Sequence, residues 1–554
     1  MEVSQTELRG ETAPWGSAAK LALAACVLFG LYFRLRGLSA EGFGDDEVHK
    51  WLAANRYLHG VFSGDDVEHP MLMKWLVALV ALVGSRFLEP ETITRLPNAL
   101  AGGVSIWVVA QLGRRLFGRT AGLFAAALTA MSVTLIGYQR IAKEDTLLGL
   151  FLLLLLWCMA EAKASFKGTC GAPATALRPA AGPPPSPALA GGPPPAASRR
   201  WELGAAASLA GMMASKYFFF LTPIPVVFYL WVRDWRVPFK RWLQLVGIAL
   251  VLWACVNWSP FLPSTWEYVR SYASGQQTVH GSLFFMGRIY HNLVEYGLGG
   301  TPPWYYAVFA AVKLAPATFA FALFGLAVAL VARKPAHKLI LSWMGVWFLL
   351  HSLSGSKWGR FFVTVLPAFL ILAGYAAALL LEAVRAPRWA LAAALVLLLP
   401  GIEAAAAVRH APHYRLYISP LGGGDEQVQW YFPHCDYFDA GFREAVQYVA
   451  EHAEPGAELS TEIDLPAQIY AERFGRPDLV LSLVRPGSAC RSGHACYVVV
   501  QTGRLYFINQ EAVEHLARRT AVHVESIEGH EVVKVYRLLP GESPFPGEEA
   551  LVQH

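Results

Sequence analysis

Runs of about 17–25 apolar residues recur between residues 17 and 408, each long enough to cross the hydrocarbon of a bilayer. Backbone polar groups inside hydrocarbon must be satisfied within the segment, so such runs fold as helices. The composition agrees. The chain has 554 residues, 55% hydrophobic and 16% charged, whereas a soluble chain carries about a quarter charged. The fold class expected is a polytopic α-helical membrane protein with a small α/β domain at its C-terminal end. The net charge of +5 is modest and reads as loop charge, not as a nucleic-acid footprint. The first run ends in Arg34 and Arg36 without a small-residue cleavage site, which argues against a removed signal peptide.

Charge sets the predicted topology, because Lys and Arg accumulate on the cytoplasmic side. Five groups should share that side: Arg114, Arg115 and Arg119; the loop 162–200; Arg233, Arg236, Lys240 and Arg241; Arg333, Lys334 and Lys338; Arg385 and Arg388. They do so only if the apolar run 71–88 does not cross and lies instead as an interfacial or re-entrant helix, with Lys74 and Arg86 free to snorkel. The spans are then 17–36, 95–113, 120–138, 146–161, 202–218, 220–232, 242–260, 303–331, 339–353, 359–383 and 389–408, about eleven in all. Residues 1–16 form a cytoplasmic tail and 17–409 a membrane domain. The loops 37–94, 139–145, 261–302 and 354–358 and the region 410–554 lie outside. The loop 162–200 holds Pro183-Pro184-Pro185 and Pro193-Pro194-Pro195 and reads as an extended linker without chemistry.

From residue 410 the pattern changes to alternating short elements. Helices are expected at 440–453, 465–474 and 510–519, and strands at 457–463, 479–484, 496–501, 521–527 and 531–537. Cys490 and Cys496 flank a short loop there and are candidates for a disulfide outside the cytoplasm. With His494 they supply too few ligands for a zinc site.

The chemistry concentrates on the predicted outer face. Gly44-Asp45-Asp46-Glu47-Val48-His49 follows the first span, and Glu68-His69-Pro70-Met71-Leu72-Met73-Lys74 opens the interfacial run. Arg95, then Arg140, Lys143, Glu144 and Asp145, then Lys216, His280, His291 and Glu295, and finally Lys357 and Arg360 fall on the same face. Carboxylates there can take a proton from a hydroxyl, and cations can neutralise a phosphate as headgroup and as leaving group. Each feature alone has a plainer reading. Asp45-Asp46-Glu47 is equally a solvated loop or the first turn of a helix at 47–58. Arg140 and Asp145 are equally a helix-end pair, Lys357 a headgroup anchor, and Trp304, Tyr305 and Tyr306 an interfacial aromatic belt. The coincidence of charges on one face raises the functional reading.

These residues carry a resemblance. Asp46-Glu47-Val48-His49 is similar to the Asp-Glu-x-His of the protein O-mannosyltransferase family. His69-Pro70-x-Leu72-x-Lys74 resembles its His-Pro-Pro-Leu-Gly-Lys, with Met71 and Met73 in place of Pro and Gly. Arg95-Leu96-Pro97…Gly102, Arg140…Asp145 and Gly211…Ser215-Lys216 resemble further elements of that family. Ser354-Gly355-Ser356-Lys357-Trp358-Gly359-Arg360-Phe361 resembles a motif shared with the aminoarabinose transferases. The resemblance implies the GT-C fold and a polyprenyl-phosphate-sugar-dependent glycosyltransferase, inverting, acting on a protein or glycan acceptor in a prokaryotic plasma membrane. It implies Asp46 as general base aligned by Glu47, with Asp145 orienting the acceptor. Lys74, Arg95, Arg360 and Lys216 are implied at the donor phosphate and His69 beside sugar or phosphate, and Arg140 and Lys357 complete the substrate-binding candidates. No metal is required, although Asp46, Glu47 and Asp145 would suit a divalent ion if they converge. A flippase for a lipid-linked sugar and a non-catalytic scaffold are the alternatives. The first is disfavoured by the lack of a repeat and of midplane charge, and the second leaves the acidic loop unexplained.

Overall fold

The computed structural model describes residues 15–62, 69–170, 196–217, 221–232, 235–273, 281–384, 387–490 and 493–546. Most of the linker 162–200, and with it Glu68 and His280, lies outside the described residues. Helix α1 is Ser17–Leu35, α2 Asp45–Leu58, α3 Leu72–Gly84, α4 Pro90–Phe117, α5 Arg119–Met131, α6 Val133–Tyr138 and α7 Asp145–Cys170. Then follow α8 Ala196–Ser215, α9 Pro223–Trp231, α10 Phe239–Val256, α11 Pro263–Ala273, α12 Tyr305–Lys313, α13 Pro316–Ala332, α14 Pro335–Leu353, α15 Leu366–Ala383 and α16 Arg388–Arg409.

Six described helices are long and apolar enough to span a membrane: α1, α4, the Asp145–Ser165 part of α7, α10, α15 and α16. The pair α13 and α14, bent by 119°, makes a seventh if counted as one span. The expected eleven are not reached among the described residues, for local reasons. The predicted span 120–138 is broken at Ser132 into α5 and α6. The span 303–331 is broken at Leu314-Ala315, where Pro316 opens α13 at a position that needs no amide proton. Helix α9 has only nine residues, and α8 carries Arg199, Arg200 and Glu202 within its length. The first two breaks meet at one buried carboxylate. Glu403 accepts from the Val133 and Ala315 amides at 3.4 Å each, satisfying donors that the broken helices leave open.

Helix α3 has 13 residues, about 20 Å at 1.5 Å per residue, too short to cross. Met73, Val77, Ala78 and Ala81 face inward, while Leu79, Leu82, Val83 and, just beyond, Phe87 stand exposed on the opposite edge. Lys74 does not snorkel. Its side chain is buried and its Nζ donates to the His69 carbonyl at 2.9 Å.

Beyond α16 the chain forms a five-stranded sheet: β3 Glu458–Thr461, β4 Val480–Leu483, β5 Cys496–Gln501, β6 His523–Ile527 and β7 His530–Leu538, in the order β4-β3-β5-β7-β6. Strands β1 Ser282–Phe285 and β2 Arg288–His291 make a separate hairpin in the loop before α12. Strand β3 runs parallel to β4 and β5, whereas β7 is antiparallel to β5 and β6. Helices α17 Phe442–His452, α18 Asp464–Arg473 and α19 Gln510–Leu516 complete the α/β domain. The apolar face of α17 (Phe442, Ala445, Val446, Val449) is buried at helical spacing. Cys490 and Cys496 are free thiols packed in one small core with Val498, Leu516 and Leu538.

Candidate active site

The acidic loop is held from beneath by one buried ion pair. Glu47 lies in the first turn of α2. It accepts from the Gly44 amide at 2.9 Å, from the Ala142 amide at 2.7 Å, and from Arg95 Nε at 2.9 Å and Nη2. Arg95 rises from α4 and gives its remaining donors to the carbonyls of Leu38, Glu41 and Gly42. All five guanidinium N–H groups are therefore committed. Asn98, one turn further along α4, donates to the carbonyls of Ile141 and Lys143 at 2.6 Å each. Two residues of α4 thus fix both the α1–α2 loop and the turn before α7.

Above this floor the charges alternate. Asp46 accepts from Lys143 Nζ at 2.7 Å and lies 3.8 Å from Arg360 Nη2. Asp145 accepts from Lys216 Nζ at 2.8 Å, and its other oxygen is 3.6 Å from Arg360 Nε. Arg360 therefore stands between the two carboxylates, its guanidinium 4.8 Å above the Trp358 ring. Beside this row, Glu144 is fully buried, 2.9 Å from Lys50 Nζ and 3.7 Å from His69 Nε2. Asp46 is the open member, with its side chain 39% exposed. Burial would raise its pKa, but Lys143, Arg360 and Lys50 outweigh burial and hold the carboxyl well below its ordinary value.

The α/β domain adds a wall. The His434 ring packs 4.9 Å from Trp358 and its Nδ1 lies 3.1 Å from the Tyr506 hydroxyl. Burial first, then Arg504, pushes His434 down to about 3, so its imidazole is neutral. Asp439 pairs with Arg504 and accepts from the Asp45 amide at 3.0 Å.

Of the residues expected from sequence, Asp46, Asp145, Lys216 and Arg360 come together, with His69 joined to them through Glu144 and Lys143. Lys74 meets the group at the His69 carbonyl. Three expected substrate contacts stand elsewhere. Arg95 is consumed beneath the loop. Arg140 donates to the carbonyls of Phe33, Arg36 and Gly37, which are the open acceptors at the end of α1. Lys357, buried, donates to the carbonyls of Thr301 and Ser354, and its own amide donates to Asn292 Oδ1 at 2.7 Å. Nor do Asp46, Glu47 and Asp145 form a cation cage. The Glu47 oxygens are filled by Arg95 and two amides, and Arg360 lies between the other two. Among the described residues no group of three or more His, Cys, Asp or Glu is placed to hold a metal ion.

Sequence reasoning placed Lys143 and Glu144 on the outer face without giving them a role, and it passed over Lys50. Lys50 follows Asp46 by four residues on α2, the spacing of a same-face pair, so that signal was available. Asp439 and Arg504 carried none, being more than about 390 residues from the loop they touch, and His434 carried none beside Trp358.

Residues 68–169 match the family model described as dolichyl-phosphate-mannose-protein mannosyltransferase. No curated protein matches the chain. Among solved structures, the chain is similar to ArnT from Cupriavidus metallidurans bound to undecaprenyl phosphate, at 15% identity and a TM-score of 0.49 over 94% of this chain and 98% of that one. It is similar to the oligosaccharyltransferase AglB from Archaeoglobus fulgidus, in complex with an inhibitory peptide and a dolichol-phosphate, at 12% identity and a TM-score of 0.49, over 88% and 69%. The protein O-mannosyltransferase Pmt1-Pmt2 complex of S. cerevisiae, bound to the sugar donor, matches at 17% identity and a TM-score of 0.33, over 50% and 39%. The matched segment covers less than a fifth of the chain and contains His69, Lys74, Arg95, Arg140 and Asp145.

Proposed function

We propose that this chain is a membrane glycosyltransferase of the GT-C type. It moves a sugar, mannose or a similar hexose, from a polyprenyl-phosphate donor to a hydroxyl on a protein or glycan, with inversion, at the extracytoplasmic face. One observation carries the reading. Arg360 Nε and Asp145 Oδ2 are both buried, face one another at 3.6 Å, and have no hydrogen-bond partner among the described residues. Buried polar atoms are normally paired. A guanidinium with an idle donor, set between two carboxylates, is a seat for an anion that arrives with the substrate.

In the reaction, Asp46 takes the proton of the acceptor hydroxyl, and its oxygen attacks the anomeric carbon from the face opposite the phosphate. The bond from that carbon to the phosphate oxygen breaks, and the phosphate departs with the electron pair. Arg360 and Lys216 neutralise the charge that grows on it. A phosphate at Arg360 also draws this cation away from Asp46 and so raises the basicity of a carboxylate otherwise held low. His69 hydrogen-bonds beside the sugar in this reading, and Lys74 Nζ donates to its backbone carbonyl. Asp145, implied by the resemblance to orient the acceptor, is paired with Lys216 and Arg360 and orients the donor through them instead.

The test is transfer of radiolabelled polyprenyl-phosphate mannose and related donors to membrane and periplasmic extract by the purified protein in nanodiscs. Asp46→Asn and Arg360→Met should each lose about 10²-fold or more of the rate, Arg360→Met with a raised donor KM. Full activity of Asp46→Asn at normal expression would remove the base from the mechanism.

A further inference from the structure

The α/β domain does more than cover the site, because it builds the amino end of the helix that carries Asp46. The first N–H groups of a helix have no acceptor within it. In α2 the Gly44 amide is taken by Glu47 from within the turn, but the Asp45 amide is taken by Asp439 from the other domain, at 3.0 Å. Asp439 is buried and does not move freely. Arg504 Nε and Nη2 bind its two oxygens at 2.5 and 2.7 Å, and Gln501 donates to Oδ1 at 2.8 Å. Arg504 Nη2 also lies 3.6 Å from the Asp45 carboxylate.

The backbone is strained to deliver this group. Phe438 and Asp439 are consecutive non-glycine residues with φ of +46° and +66°, a conformation that persists only where surrounding contacts impose it. The Phe438 ring fills the space over Gly44, where a Cβ would come within 2.3 Å of it. The Tyr470 hydroxyl accepts from the Phe43 amide at 2.6 Å. A pair serving only the internal stability of the α/β domain needs neither the left-handed turn nor the outward oxygen.

We propose that Asp439, clamped by Arg504, is a positioning residue for Asp46: the α/β domain completes the amino end of α2 and so sets where the base points. This rests on the reading of Asp46 as base, one residue beyond the amide that Asp439 holds.

Full-length wild type, Asp439→Ala, Asp439→Asn and Arg504→Met in nanodiscs are compared by amide hydrogen exchange over residues 43–49 and by transfer kinetics. Asn keeps an acceptor for the Asp45 amide and loses the charge, so Asp439→Asn should retain more activity than Asp439→Ala. In Asp439→Ala, exchange over 43–49 should quicken by about tenfold, while kcat falls about ten- to a hundredfold and the donor KM stays within about twofold of wild type. Unchanged exchange over 43–49 overturns the proposal, as does faster exchange there with unchanged kcat, or a loss expressed in KM alone. If Asp439→Ala does not fold, Asp439→Asn and Arg504→Met decide by the same readings. Absence of transfer by wild type itself would defeat the glycosyltransferase reading, and the exchange data would still decide whether Asp439 orders α2.

Discussion

Asp46 and Glu47 are neighbours in the chain with opposite fates, and their partners decide which is available for chemistry. Glu47 accepts four hydrogen bonds in the dark of the fold, whereas Asp46 keeps one face open and is held low by cations. The sign of the expected pH effect follows. Burial pushes the Asp46 carboxyl up, but Lys143 above all, then Arg360 and Lys50, pull it well below its ordinary value, so it stays ionised below the usual carboxylate range. Removing one of those charges lets the pKa rise. Lys143→Met should therefore move the acid limb of the kcat/KM profile to higher pH by about one unit or more, read from transfer rates followed down into the acid range below about pH 4. A profile identical to wild type would mean that Asp46 does not govern that limb.

At the scale of elements, α4 organises the site although it contributes no reacting group. Arg95 and Asn98, a turn apart, pin the two loops that bring Asp46 and Asp145 to face each other. Arg95→Met leaves the fully buried Glu47 without its counter-ion, and removing one partner of a buried pair costs about 3–5 kcal/mol. The loss should be visible as a lower thermal midpoint even before donor is added. Legibility in the sequence divides along the same line. Apolar runs, the α/β alternation after residue 410 and the gathering of charges on one face could be read from type and spacing, and the family resemblance singled out Asp46, Asp145, Lys216 and Arg360 among those charges. The split between contact and support could not. Arg95, Arg140 and Lys357 look like phosphate ligands by residue type, yet Arg95 spends all its donors and the other two spend several of theirs on protein oxygens, and only three-dimensional placement shows that. The breaks at Ser132 and at Leu314-Ala315 were hidden for a related reason. Hydropathy stays high across both, because the compensating acceptor, Glu403, is supplied by a helix some 90 to 270 residues later.

At the scale of the whole molecule, the stretch where the chain leaves α16 is tied to the C-terminal region by a histidine held between two carboxylates. His410, just past α16, lies 2.9 Å from Glu528 and 3.4 Å from Asp425. Burial alone would lower its pKa, but the hydrogen bonds to Asp425 and Glu528 prevail and raise it to about 9. A folded-state pKa above the unfolded value of about 6.5 stabilises the fold in full below that pH and loses its effect as pH rises through about 9. Thermal midpoints in nanodiscs should fall between pH 6.5 and 9.5, and His410→Asn should flatten that fall. The short helix α3 has a different consequence. On the proposed function, its exposed edge of Leu79, Leu82, Val83 and Phe87 rests in the leaflet, and the lipid donor arrives by lateral diffusion in two dimensions while the acceptor comes from water in three. The quantity that saturates the enzyme is then the donor's mole fraction in the bilayer. Diluting the donor with inert lipid at constant total donor should slow transfer, and adding donor-containing membrane at constant mole fraction should not change the turnover of each reconstituted molecule.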